Sequence, residues 1–310
     1  MRDHASEGEG TSAKWPLPLD EHPSLELDTH FARLSVVPIS AGETPYLEVR
    51  GRDAESARVS VDAGGGVTRV RVDGVMGEPW WGGKWWDHAF WDKRGKGKGQ
   101  RSRLIAHLPP SVHARIRTLA AKVVVEHLRG CVLDVSTDAG QIQLHDVHGR
   151  LTVRTDAGKI EGKGLSGTFD VSADMGAIEL EIEALDPGDH RLSADMGSVR
   201  VALARGMPAR IDARTSMGSQ HIEFPSSAGA PALLAITTDL GAIHVSSSSK
   251  PWAKADELVP TPPRAASAYR TNEISISGPD AEIERVLARV ASGTLSPTDA
   301  REILRGLGVS

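Results

Sequence analysis

A single cysteine, Cys131, rules out any disulfide within the chain and fits a reducing compartment. Aromatic residues are only 4% of the chain, although a hydrophobic content of 39% is enough for a core. No stretch approaches the ~20 apolar residues of a membrane-spanning helix. The opening residues, MRDHASEGEGTSAKWPLPLD, lack the apolar run of a signal peptide. A net charge of −5 is too mild and of the wrong sign for a general nucleic-acid binder. Phosphate-binding loops, dinucleotide fingerprints and G-x-S-x-G elbows are missing. His107, His113, His127, His145, His148, His221 and His244 make no metal-ligand spacing. These absences predict a soluble, cytoplasmic protein with no cofactor, no metal and no catalytic motif.

What the chain does have is a repeat. TDAGQI at 137–142 returns as TDAGKI at 155–160 and ADMGAI at 173–178. The motif glycine falls at Gly140, Gly158, Gly176, Gly197, Gly218 and Gly241, with spacings of 18, 18, 21, 21 and 23. A degenerate copy, TLAAKV at 118–123, comes first. Each unit reads as a short alternating run, a D-x-G corner, a second alternating run and a second break. Period-2 alternation rich in Val, Ile and Thr is strand. One unit cannot bury its apolar face alone, whereas stacked units can. The predicted fold is therefore all-β: a parallel β-solenoid of 18–23-residue coils.

Stacking turns equivalent positions into ladders. Ile142, Ile160, Ile178, Val199 and Ile243 form one inward ladder, and Leu144, Leu180, Val201 and Val245 a second. Ala139, Ala157, Met175, Met196, Met217 and Leu240 are expected to form a third. The Gly218 unit fits best with a bulge that turns Ile222 and Phe224 inward. Gln143, Glu161, Glu179, Arg200 and His244 form an outward polar ladder, joined by Glu223 if the bulge is real. At the corners, glycine supplies a positive φ, and Asp138, Asp156, Asp174, Asp195 and Asp239 can close Asx-turns, with Ser216 in the remaining place. Stacked carboxylates could also hold calcium, but turn capping explains the same spacing without an ion.

Residues 1–30 read as a disordered tail and 31–248 as the repeat domain. Within the domain, 78–103 is a loop insertion holding five of the seven tryptophans. Trp80, Trp81, Trp85, Trp86, Phe90 and Trp91 are followed by Lys93 and Arg94, a mix that suits a protein partner or a membrane surface. Self-packing over an apolar edge is the plainer reading, and stacking on single-stranded nucleic acid is the weakest. Residues 249–272 read as a linker and 273–310 as a helical hairpin. Its stripes are Ile283, Val286, Leu287 and Val290, then Ile303, Leu304 and Leu307. So small a hairpin must dock on the solenoid or on a second copy, which makes it a docking or oligomerisation element and leaves a homo-oligomer open.

The x-D-x-G-x-[IV] units, preceded by HLPPSVHARIRT at 107–118, resemble the bacterial putative-adhesin β-strand-repeat family, a domain of unknown function. The likeness covers residues 30–248. The final hairpin resembles the SHOCT-like short helical segments attached to such repeats in bacterial envelope-stress proteins. The resemblance implies the repeat fold and carries no catalytic residues. The function expected is a non-enzymatic scaffold, cytoplasmic or peripheral at the inner face of the membrane. Two alternatives stay open. One is a β-helix enzyme acting on polysaccharide, with Arg200, His221 and Glu223 as its candidates. The other is a polymerising, bactofilin-like scaffold.

Overall fold

A computed structural model describes residues 12–19, 23–31, 33–51, 54–73 and 102–252. The helical hairpin, its stripes and nearly all of the tryptophan segment lie outside these residues. The described residues are all-β, strands joined by turns and loops, with no helix. The entry strands are β1 (Ser12–Pro16), β2 (Ser24–Thr29), β3 (Arg33–Pro38), β4 (Tyr46–Arg50), β5 (Arg58–Gly64), β6 (Val67–Asp73) and β7 (Arg103–Leu108). The repeats follow as β8 (His113–Glu126), β9 (Arg129–His145), β10 (His148–Leu185) and β11 (Gly188–Arg205). β12 (Arg210–Met217), β13 (Gln220–Ile222), β14 (Ala232–Leu240) and β15 (Ile243–Pro251) complete it. Among the described residues no helix is long and apolar enough to cross a membrane.

The repeats pair in parallel and in register. Gly140 lies opposite Gly158, and Gly176 opposite Gly197. Within β10, Gly167 leans on the backbone of Gly149 and Gly176 on that of Gly158, so its two halves stack on each other. Inward positions form continuous buried rows, such as Ile142, Ile160, Ile178, Val199 and Ile243. A second row runs Leu133, Leu151, Phe169, His190, Leu234. Each large apolar side chain buried this way stabilises by ~1.5–3 kcal/mol.

Five expectations need correction. First, the N-terminal tail is not structureless throughout. SLELDT alternates, so Leu25 and Leu27 are buried and β2 pairs with both β6 and β8. The expected linker likewise starts late, since β15 runs to Pro251.

Second, the last two repeats stack out of sequence order. β14 and β15 lie directly on β11, and β12 and β13 lie outside them. The file of corners therefore runs Gly197, Gly241, Gly218. Composition explains the swap. Leu234, Ile236, Ile243 and Val245 are almost wholly buried and suit an interior rung. The other unit offers Ile211, Ala213 and Gln220 at the matching places and suits the end.

Third, no bulge interrupts the Gly218 unit. Gln220 pairs with Ile243, His221 with His244 and Ile222 with Val245. Ile222 holds an inward register, but no rung among the described residues covers it and it is 43% exposed. Phe224 is buried in the loop that follows.

Fourth, the row Met175, Met196, Leu240, Met217 faces solvent. At the convex corner two consecutive residues point outward, as Asp174 and Met175 do, so strict alternation fails there.

Fifth, the corner glycines hold the expected positive φ but answer to contact as well, and the corner aspartates do not close the turn. Their φ values run from 141° at Gly140 to 157° at Gly218. A Cβ on any of them would fall on the carbonyl of the residue one rung away. Ala121 heads the file, where the pairing beneath skips its position, and keeps a negative φ. The corner bond comes from threonine: buried Thr137 donates its Oγ1–H to the Ala139 carbonyl at 3.0 Å. Thr215 and Thr238 reach corner carbonyls of neighbouring rungs.

Candidate functional site

The second strand of each repeat presents the outward polar ladder. Register sets Gln143 beside Glu161, Glu179 beside Arg200, Arg200 beside His244 and His244 beside His221. His221, not Glu223, thus occupies the ladder's last place. The side chains then bond along the row. Gln141 and Gln143 both donate to Glu161 Oε2, at 2.8 and 2.7 Å. Lys159 Nζ sits 2.6 Å from Glu161 and 2.6 Å from Glu179. Arg200 donates to Glu179 Oε1 at 2.8 Å. His221 Nε2 lies 2.7 Å from Glu223 Oε1, and its ring stacks on His244 at 5.1 Å.

The electrostatics follow from this closure. Lys159 holds both Glu161 and Glu179 below the usual carboxylate range, helped by Gln143 on the first and by Arg200 on the second, with slight burial opposing. The same two carboxylates raise the Lys159 ammonium. Lys250 is likewise raised by Glu183, 2.7 Å away, and Glu181, 3.6 Å away. A carboxylate held ionised by a fixed cation is a poor proton donor near neutral pH.

Small residues at Ala202 and Ser246 leave a shallow hollow of about 300 Å³, edged by Glu179, Glu181, Arg200 and His244. The candidates of the enzyme reading do not converge on it. His221 and Glu223 bind each other, and His244 stands between them and Arg200. Among the described residues no group of three or more His, Cys, Asp and Glu is placed to hold a metal ion.

Two clusters escaped sequence reading. On β4 and β7, Glu48 is 2% exposed and accepts from Arg50 at 2.6 and 2.9 Å, with His107 Nε2 at 3.4 Å. Tyr46 stacks on His107 at 4.1 Å, under the Lys14 ammonium. Arg50 lowers the Glu48 pKa against the effect of burial, and burial lowers that of His107. The only local signal was E-x-R on one strand face. At the second corner, burial raises Asp146, but bonds from His127 and His148 and the charge of Arg129 leave it lowered overall. Asp146 and His127 both hold a left-handed backbone, at φ 53° and 56°, which sequence alone does not mark. Both clusters hold their carboxylate among paired groups and read as structural, although the buried Nδ1 of His148 has no partner among the described residues.

Cys131 is buried beneath the second break, its thiol pushed up to about 12 by burial. Of the predicted corner residues, the glycines form one file, and the aspartates stand exposed beside them. Trp80, Trp81, Trp85, Trp86, Phe90, Trp91, Lys93 and Arg94 fall outside the described residues, as do Ile283, Val286, Leu287, Val290, Ile303, Leu304 and Leu307.

No protein-family model and no curated protein matches the chain. Two solved structures resemble it. One is a putative cell adhesion protein from Clostridium sporogenes, with a TM-score of 0.38 and 11% identity over 77% of this chain and 100% of that one. The other is a putative adhesin from Bacteroides fragilis, with a TM-score of 0.30 and 11% identity over 76% of this chain and 96% of that one.

Proposed function

We propose that this chain is a non-enzymatic interaction scaffold, a parallel β-solenoid that displays side-chain ladders on a rigid surface. One observation carries the reading: the outward charges are answered within their own row, from Gln141 through Lys159 and Glu179 to Arg200. Such a row stiffens a surface and ties its carboxylates to fixed cations rather than to a reacting group. In this reading the tryptophan segment contacts a protein partner or the inner face of an envelope membrane, and the terminal hairpin docks or dimerises.

Two measurements test it. The full chain is incubated with a panel of acidic and neutral polysaccharides and assayed for new reducing ends or unsaturated products. Turnover that disappears in Arg200→Ala or His244→Ala would move the chain to the β-helix enzyme reading. Vesicle co-sedimentation then compares the full chain with a deletion of residues 78–100. Equal sedimentation removes the membrane clause and leaves the scaffold.

A further inference from the structure

The convex corner carries two exposed rows side by side. Asp138, Asp156, Asp174, Asp195 and Asp239 form the first, and the residues immediately after them form the second. That second row begins with Ala139 and Ala157, then becomes Met175, Met196, Leu240 and Met217, at 51%, 48%, 45% and 69% exposure. Neighbouring rungs lie ~4.8 Å apart, so the four large side chains make an apolar stripe ~14 Å long beside an acidic row of ~19 Å.

The acidic row differs from the paired charged rows among the described residues. Like charges on adjacent strands repel. Elsewhere the chain interleaves opposite charge. Lys159 bridges Glu161 and Glu179, and Arg115 lies between Glu26 and Asp134. Among the described residues, Asp138, Asp156, Asp174 and Asp195 enter no ion pair or hydrogen bond. Uncompensated anions thus run beside uncovered apolar side chains over several rungs. Neither feature helps the fold, and both are satisfied by one ligand chemistry.

We propose that this corner is the docking stripe for a cationic amphipathic helix of a partner protein. The proposal rests on the interaction-scaffold reading and names the class of partner. Dimensions favour a helix. Its pitch of ~5.4 Å nearly matches the ~4.8 Å rung spacing, whereas same-face residues of an extended strand recur every ~6.6 Å. A helix laid along the corner sets one apolar residue per turn against the methionine row and Lys or Arg against the aspartates. Methionine is unbranched and repacks readily, which suits a surface that must accept a foreign side chain. Charge argues against two other occupants. A second copy docking by the same stripe brings aspartates against aspartates, and an anionic membrane is repelled by them.

The test uses the full chain and a fluorescent peptide of about 18 residues, with Leu at i, i+3, i+4 and i+7 and Lys elsewhere. Fluorescence anisotropy compares it with a scrambled peptide of the same composition, and with a Glu/Leu peptide of the same pattern. One variant carries Met175→Ser, Met196→Ser and Met217→Ser. Another carries Asp156→Asn, Asp174→Asn and Asp195→Asn. All six positions are exposed, so both variants keep the wild-type circular dichroism. The patterned Lys peptide binds the wild type and loses about tenfold or more in affinity to each variant, and the asparagine variant also loses most of the salt dependence. No binding by the wild type, equal binding to the variants, or equal binding of the scrambled peptide overturns the stripe. So does stronger association with phosphatidylglycerol vesicles than with the peptide. None of these outcomes touches the scaffold reading, which fails separately on polysaccharide turnover.

Discussion

Replacing Gly176 with alanine separates two reasons for a glycine at the corner. Its φ is +154°, and a Cβ there would land on the carbonyl oxygen of Gly158. Holding a non-glycine residue in this backbone region costs ~1–3 kcal/mol. Parting two rungs to admit a methyl group adds an overpacking cost of ~1–3 kcal/mol. The expected loss for Gly176→Ala is therefore ~2–6 kcal/mol. Gly188 is the matched control, because its φ is +125° but nothing lies within 4 Å of its missing Cβ. Gly188→Ala should cost only the backbone part, ~1–3 kcal/mol. Urea unfolding followed by far-ultraviolet circular dichroism measures both losses, read from the midpoint at unchanged slope. Equal losses would refute the contact argument, and so would a Gly176 variant that unfolds with the wild type.

Three further outcomes follow from the geometry. With its amide turned to suit, Gln220 donates to the Ala213 carbonyl at 3.2 Å and accepts from Thr215 N–H at 3.1 Å, capping the outer edge of β12. Gln220→Ala opens that edge, so sedimentation velocity should show concentration-dependent association beyond that of the wild type; an unchanged profile dismisses the cap. His190 is buried in an apolar row with its pKa lowered by burial. Its stability contribution is therefore complete above the unfolded value of 6.5 and falls as pH drops from there through the folded value. His190→Leu should remove that slope in pH-dependent unfolding, while leaving the Phe169 N–H and Asp186 carbonyl without their partner at a cost of ~1–3 kcal/mol. Glu48 is held ionised by Arg50, so its contribution is present above 4.5 and lost as pH falls through the lowered folded value. Glu48→Gln should flatten the acid limb of the stability curve, and an unchanged limb would place acid sensitivity elsewhere.

The repeat period, the strand pairs and two of the inward rows were legible because period-2 alternation and a fixed spacing are local signals. Ile142, Ile160, Ile178, Val199 and Ile243 needed only counting. Met175 and Met196 defeated counting, because a convex corner turns two successive side chains outward. The order Gly197, Gly241, Gly218 was hidden because spacing records where a unit lies along the chain, not which neighbour it stacks on. The capping role of Gln220 and the burial of Glu48 depend on strands brought together from afar. In GSQHIEF the alternation alone favours a bulge that turns Ile222 and Phe224 inward. The real repair is a terminal rung, where a polar side chain at an inward register can bond the last strand's open backbone.

That same logic bears on the corner. An interior position such as Ile178 is constrained by the rungs on both sides, so a change there is felt by its neighbours. The outward residue after each corner aspartate touches neither core nor cap. Alanine serves there at Ala139 and Ala157, and nothing in the packing asks for more. Yet the next four rungs place Met175, Met196, Leu240 and Met217 in that position, exposing apolar surface at a solvation cost. The described residues interleave opposite charges on other ladders, as Lys159 does between Glu161 and Glu179, but set no counter-charge on Asp138, Asp156, Asp174 or Asp195. On the docking proposal the demand on those residues comes from a partner, and outward positions on a ladder let the chain meet it while the buried rows stay as they are.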